Sequence, residues 1–164
     1  MGCTAPDDMG REFIVSCGEL EHPHIRDLCI MRQAIKSKEP FTCQDLNNAS
    51  LREVCRRFVA YEKKDPELCR SIESENQRDL CLWRLAENTS EEALCQGIES
   101  CQVKDECLIE VAEKTRDPNT CFKVGDQVKK DLCILMLSRK TGNKSLCYEI
   151  SETQTLNHCH KTMI

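Results

Sequence analysis

The sequence predicts an all-α fold, an α-solenoid of six disulfide-stapled αα-hairpins with a 26-residue period. Three observations predict it: an alternating cysteine spacing, a helical apolar stripe around every second cysteine, and a shortage of aromatic residues. The beat runs through Cys3, Cys17, Cys29, Cys43, Cys55, Cys69, Cys81, Cys95, Cys107, Cys121, Cys133, Cys147 and Cys159, in steps of 14 and 12 without exception. Cys101 is one extra inside a 12-step. A fixed period sustained in this way is the signature of a repeat architecture.

Composition agrees. The chain has 164 residues, of which fourteen are cysteine and only seven aromatic (Phe 4, Tyr 2, Trp 1). Short helices with few large side chains bury little apolar area, and cross-links then supply the missing stability. Residues 1–12 read as an N-terminal extension and 13–164 as the repeat domain.

Within each unit other positions keep time. Three residues after the first cysteine stands a branched aliphatic: Leu20, Leu46, Ile72, Ile98, Val124, Ile150. Three before the second cysteine is a base (Arg26, Arg52, Arg78, Lys104, Lys130), followed at once by an acid (Asp27, Glu53, Asp79, Asp105, Asp131). Five after the second cysteine come Ala34, Ala60, Ala86, Ala112 and then Ser138, where a small side chain permits close helix approach. The last unit departs, with Leu156, Asn157 and Ile164 in those slots, as expected of a terminal repeat.

The second cysteine lies in a longer helix. In the fourth unit Val103, Cys107, Leu108, Val111 and Ala112 form an i, i+4, i+5, i+8, i+9 stripe, wide enough to meet neighbours on two sides. The first cysteine lies in a shorter helix with a readable start. Asp65-Pro66 and Asp117-Pro118 pair an N-cap with a proline in the first turn, and Ser90 and Asn143 are expected to cap likewise. The expected lengths are about eight and about fourteen residues, joined by short turns.

Axial register selects the cysteine pairs. Across the 12-step both sulfurs lie about five residues from the shared turn, so their heights match. Across the 14-step the heights differ by on the order of 6 Å, too much for a disulfide. The expected bridges are therefore Cys17–Cys29, Cys43–Cys55, Cys69–Cys81, Cys95–Cys107, Cys121–Cys133 and Cys147–Cys159. Each closes a loop worth roughly 3 kcal/mol in the chain-entropy account. Cys3 and Cys101 are left over. Gly2-Cys3 ahead of a flexible stretch resembles the end of a bacterial lipobox, which implies a lipid on Cys3; the bland alternatives are a free thiol or a bridge to Cys101. Cys101 is expected in the turn of the fourth hairpin, as a free or intermolecular thiol.

Other chemistries find less support. No C-x2-C spacing marks a zinc or iron–sulfur site. His22 with His24, and His158 with His160, are i, i+2 pairs that a helix places on different faces, so neither is a ready metal site. The base–acid couples recur in five units and read as a structural ladder of caps and ion pairs, not as one convergent catalytic site. No G-x-S-x-G, H-E-x-x-H or phosphate loop occurs. Asn48, Asn88 and Asn143 open N-glycosylation sequons near expected turns. Net charge is −5 with signs mixed, which disfavours nucleic acid. No run of 18 apolar residues exists to span a membrane.

The architecture resembles secreted cysteine-rich helical-repeat proteins, Sel1-like repeats among them, in which each αα-hairpin carries a disulfide. The Sel1-like period is longer, and its glycine- and alanine-rich signature is not found here. The expectation is a non-enzymatic protein without cofactor, a binding or scaffolding module in the periplasm, at the cell surface or secreted. Its partner would be a protein, a peptide or further copies of itself, with membrane contact only through Cys3. Thiol-based copper or zinc storage is the alternative. The bridges require an oxidising compartment, and no signal peptide opens the chain, so the sequence reads as a mature form.

Overall fold

The computed structural model describes residues 16–162, in which the chain is helical and, among those residues, free of strands. Five helices of fifteen residues dominate: α1 (Pro23–Ser37), α2 (Ala49–Lys63), α4 (Glu75–Thr89), α6 (Cys101–Thr115) and α8 (Gln127–Thr141). Each begins 26 residues after its predecessor, and α9 (Thr153–Thr162) keeps the same beat. Between them lie α3 (Pro66–Arg70), α5 (Glu92–Cys95) and α7 (Pro118–Phe122), with 3-10 turns at Cys17–Glu19, Pro40–Asp45 and Lys144–Glu149.

The short elements are three to six residues long, not the eight expected from sequence. Their ends explain the difference. The chain turns extended at Leu46 and Ile150, whose side chains stay buried. Ile72, Ile98 and Val124 are likewise about 1 % exposed. Burying that aliphatic anchor takes precedence over another helical turn.

The starts follow cap chemistry. The Asp65 carboxylate accepts from the Glu67 and Leu68 amides, Asp117 from Asn119, and Asn143 from Ser145. Ser90 behaves differently from the sequence expectation. It closes α4 in a left-handed conformation (φ 61°), and Glu91 is the residue that precedes α5. Lys38, Lys64 and Arg116 hold the equivalent places with φ of 55–59°, and Gly142 has φ 68°. A long helix that must reverse at once ends in this left-handed step, whatever residue stands there.

Consecutive long helices pack side by side: α1 on α2, α2 on α4, α4 on α6, α6 on α8 and α8 on α9. Ala34, Ala60, Ala86 and Ala112 are fully buried, as is Ser138, whose hydroxyl donates to the Leu135 carbonyl at 2.8 Å. The core is aliphatic and sulfur. Leu82, Leu85, Leu108, Val111, Ile134 and Leu137 fill it, together with buried cysteines. No aromatic side chain among the described residues is buried.

Candidate functional site

Six disulfides join Cys17 to Cys29, Cys43 to Cys55, Cys69 to Cys81, Cys95 to Cys107, Cys121 to Cys133 and Cys147 to Cys159. All have Cα–Cα separations of 5.5–5.7 Å, and each spans 12 residues of sequence. Every one ties a short element to the long helix that follows it. Six such bridges fit an oxidising compartment, and no helix among the described residues is long and apolar enough to cross a membrane.

Cys101 is an exposed free cysteine. It is the first residue of α6 and not part of a turn, because Ser100 takes the cap position and accepts from the Val103 amide. Cys3 lies outside the described residues.

The base–acid couples divide their labour. Two of the bases close their own unit, Arg52 donating to the Leu46 carbonyl at 2.7 Å and Arg78 to the Ile72 carbonyl at 2.9 Å, and Arg78 also reaches forward to Glu99 at 2.6 Å. The acids reach into the next unit. Asp79 accepts from the Glu99 and Ser100 amides, both at 3.0 Å. Asp105 accepts from Gly125 at 2.7 Å and Asp126 at 3.0 Å, and Asp131 from Ser151 and Glu152. Glu53 makes a single such bond, to Glu73 at 3.2 Å. These carboxylates satisfy amides just before each following long helix, where negative charge also suits the helix dipole. At the ends the ladder lapses: Asp27 is buried with Oδ1 unpartnered, and Asn157 replaces the acid in the last unit. The couples are a connecting device, and only their target escapes a reading of the sequence.

The histidines are apart. The Nε2 of His158 contacts Arg139, and the His160 ring meets Tyr148 edge-on at 5.0 Å. His22 stands at the start of α1 without a side-chain cap bond. Among the described residues no three His, Cys, Asp or Glu side chains converge as a metal site would require. Asn48 and Asn143 are exposed caps, and Asn88 is exposed in the last turn of α4.

The surface holds what the core lacks. Phe41 and Tyr148 are 73 % and 77 % exposed, and Phe58 and Phe122 are exposed too. Trp83 is half-buried and donates its indole N–H to Glu110 at 2.7 Å. Beside the first bridge an open groove of about 1150 Å³ is lined by Ile25, Leu28, Arg32 and Gln33. Val128 and Leu132 form a further exposed apolar pair on α8.

Glu92 ties α5 to α7, accepting from the Thr120 hydroxyl at 3.0 Å and from Lys123. The Lys123 hydrogen bond holds its carboxyl below the usual range. No family model matches this chain, nor does any curated protein or solved structure.

Proposed function

We propose that this chain is an extracytoplasmic, non-enzymatic protein-binding or scaffolding module, built as an α-solenoid of six disulfide-stapled hairpins. The observation that carries the reading is the placement of its aromatic side chains. A fold starved of large core residues nonetheless leaves Phe41, Phe58, Phe122 and Tyr148 exposed to solvent. Aromatic and arginine side chains supply most of the binding energy where proteins meet.

The division between repeating and varying positions supports it further. Cysteines, small residues and capping acids recur every 26 residues and are buried, save Cys29 and Glu53, which are partly exposed. Exposed positions change from unit to unit: the slot of Phe41 holds Glu67, Ala93, Asn119 and Ser145 in turn. A stacked helical framework with a variable exterior is how solenoids present long recognition faces. The periplasm, the cell surface or the extracellular medium would each maintain the bridges.

The test is capture. Oxidised protein immobilised through an added terminal tag is passed over the native extracytoplasmic fraction, beside a variant carrying F41S, F122S and Y148S. The expected result is a retained protein that the triple variant loses while its circular-dichroism melt is unchanged. Equal retention by both, or by neither, overturns the reading. Thiol titration of unfolded, unreduced protein separates the storage alternative: two reactive thiols support bridges, and fourteen support thiolate metal binding.

A further inference from the structure

The long helices α2 and α4 pack together and carry, at equivalent positions 26 residues apart, an inverted pair of side chains. Arg57 and Phe58 occupy these places on α2, and Trp83 and Arg84 occupy them on α4. The Arg57 guanidinium lies 5.0 Å from the centre of the Phe58 ring, and that of Arg84 lies 5.6 Å from the Trp83 ring. Cations and rings therefore alternate across the two helices.

Charge in this patch is unbalanced. Arg57 Nε is buried with no hydrogen-bond partner, and Arg57 forms no ion pair among the described residues. Neighbouring carboxylates are already engaged: Glu53 with Arg56 at 2.8 Å, Glu87 with Arg84 at 3.0 Å, and Glu110 with the Trp83 indole. Burial, then the nearness of Arg84, holds the Arg57 guanidinium below the usual arginine range. An unpaired guanidinium with a buried N–H retains its fork for a carboxylate.

We propose that the patch of Arg57, Phe58, Trp83 and Arg84 binds an acidic peptide segment of a protein partner, with a Glu or Asp carboxylate on Arg57 and flanking apolar side chains on the two rings. The proposal rests on the protein-binding reading above and names the chemistry of its partner. A peptide fits better than an extended polyanion. The cations are few and bracketed by rings, and the chain as a whole carries a net charge of −5, which repels long runs of negative charge.

The experiment titrates the oxidised full chain with a short peptide alternating Glu and Leu, and with its Gln-for-Glu counterpart. Trp83 is the only tryptophan of the chain, so its emission reports from the patch itself. The expected result is saturable binding of the Glu peptide, weakened by salt and reduced about tenfold or more in R57Q and in R84Q, each with an unchanged melt. Equal affinity for the Gln peptide, unchanged affinity in both variants, or no saturation overturns the proposal. So does tighter binding to a heparin-derived oligosaccharide or to phosphatidylglycerol vesicles than to the peptide. Should R57Q/R84Q retain the captured partner that F41S/F122S/Y148S loses, the patch falls and the binding module stands.

Discussion

Asp131 holds the backbone amide of Glu152 at 2.7 Å, across 21 residues of sequence. It accepts from Ser151 as well, and its side chain is about 1 % exposed. One buried carboxylate thus serves the entry to α9 from the helix that precedes it. Asp131→Ala strands both amides, and we expect a loss of about 2–4 kcal/mol in urea unfolding, with Asp131→Asn losing roughly half. Asp27→Ala is the control. Its Oδ1 has no partner, so the same change there should stay within about 1 kcal/mol. Equal losses at the two sites would mean that these hydrogen bonds do not couple the units.

Removing one bridge tests the staple. The double substitution of Cys69 and Cys81 by Ala opens a loop spanning 12 residues and should cost roughly 3 kcal/mol. Full reduction should lower the melting temperature sharply. A melt indifferent to reductant would contradict a fold held by sulfur.

The helix reversals offer a stabilising change. Ser90 has φ 61° and Lys64 φ 55°, a region that costs a side chain-bearing residue about 1 kcal/mol. Ser90→Gly and Lys64→Gly should each raise stability by about 0.5–1 kcal/mol, and Gly142→Val should lower it by at least as much. Denaturation midpoints at constant slope would decide it.

Close helix approach predicts overpacking. Ala86 is fully buried where α4 meets its neighbours, so Ala86→Leu should cost about 1–3 kcal/mol or more. Ser138→Ala at the equivalent place should be nearly neutral, because that hydroxyl bonds only back to its own helix carbonyl and touches Cys159 sulfur.

Acid should loosen the link between α5 and α7. The Glu92 carboxyl sits below its usual range through Lys123 and then Thr120, while burial opposes them. Its contribution is present above the ordinary carboxylate range and is lost as pH falls through the lowered folded-state value. The pair is partly exposed, so the effect is at most about 1 kcal/mol. Glu92→Gln should flatten that part of the stability–pH curve, measured against the parent chain below pH ~5.

Much of the fold is legible in the amino-acid sequence alone. Sulfur spacing and the helical stripe are local properties, and the 12-step bridges follow from helical rise. Ser90 misleads because serine is a favoured N-cap, and nothing in its own neighbourhood signals a left-handed step. Aligning it with Lys38, Lys64, Arg116 and Gly142 supplies the missing signal, since one of the five is glycine. Asp79, Asp105 and Asp131 recur visibly, but their target lies about twenty residues away at the entry to another helix, beyond any local pattern. The Arg57–Trp83 neighbourhood needs both the register and the packing of α2 on α4.

Among the described residues every sulfur bridge closes within its own short stretch and none ties one stretch to the next. A chain threaded amino end first through a translocation pore can therefore oxidise segment by segment, each pair meeting before the next has emerged. A single proteolytic cut between two bridges would release separate fragments in denaturant without any reductant.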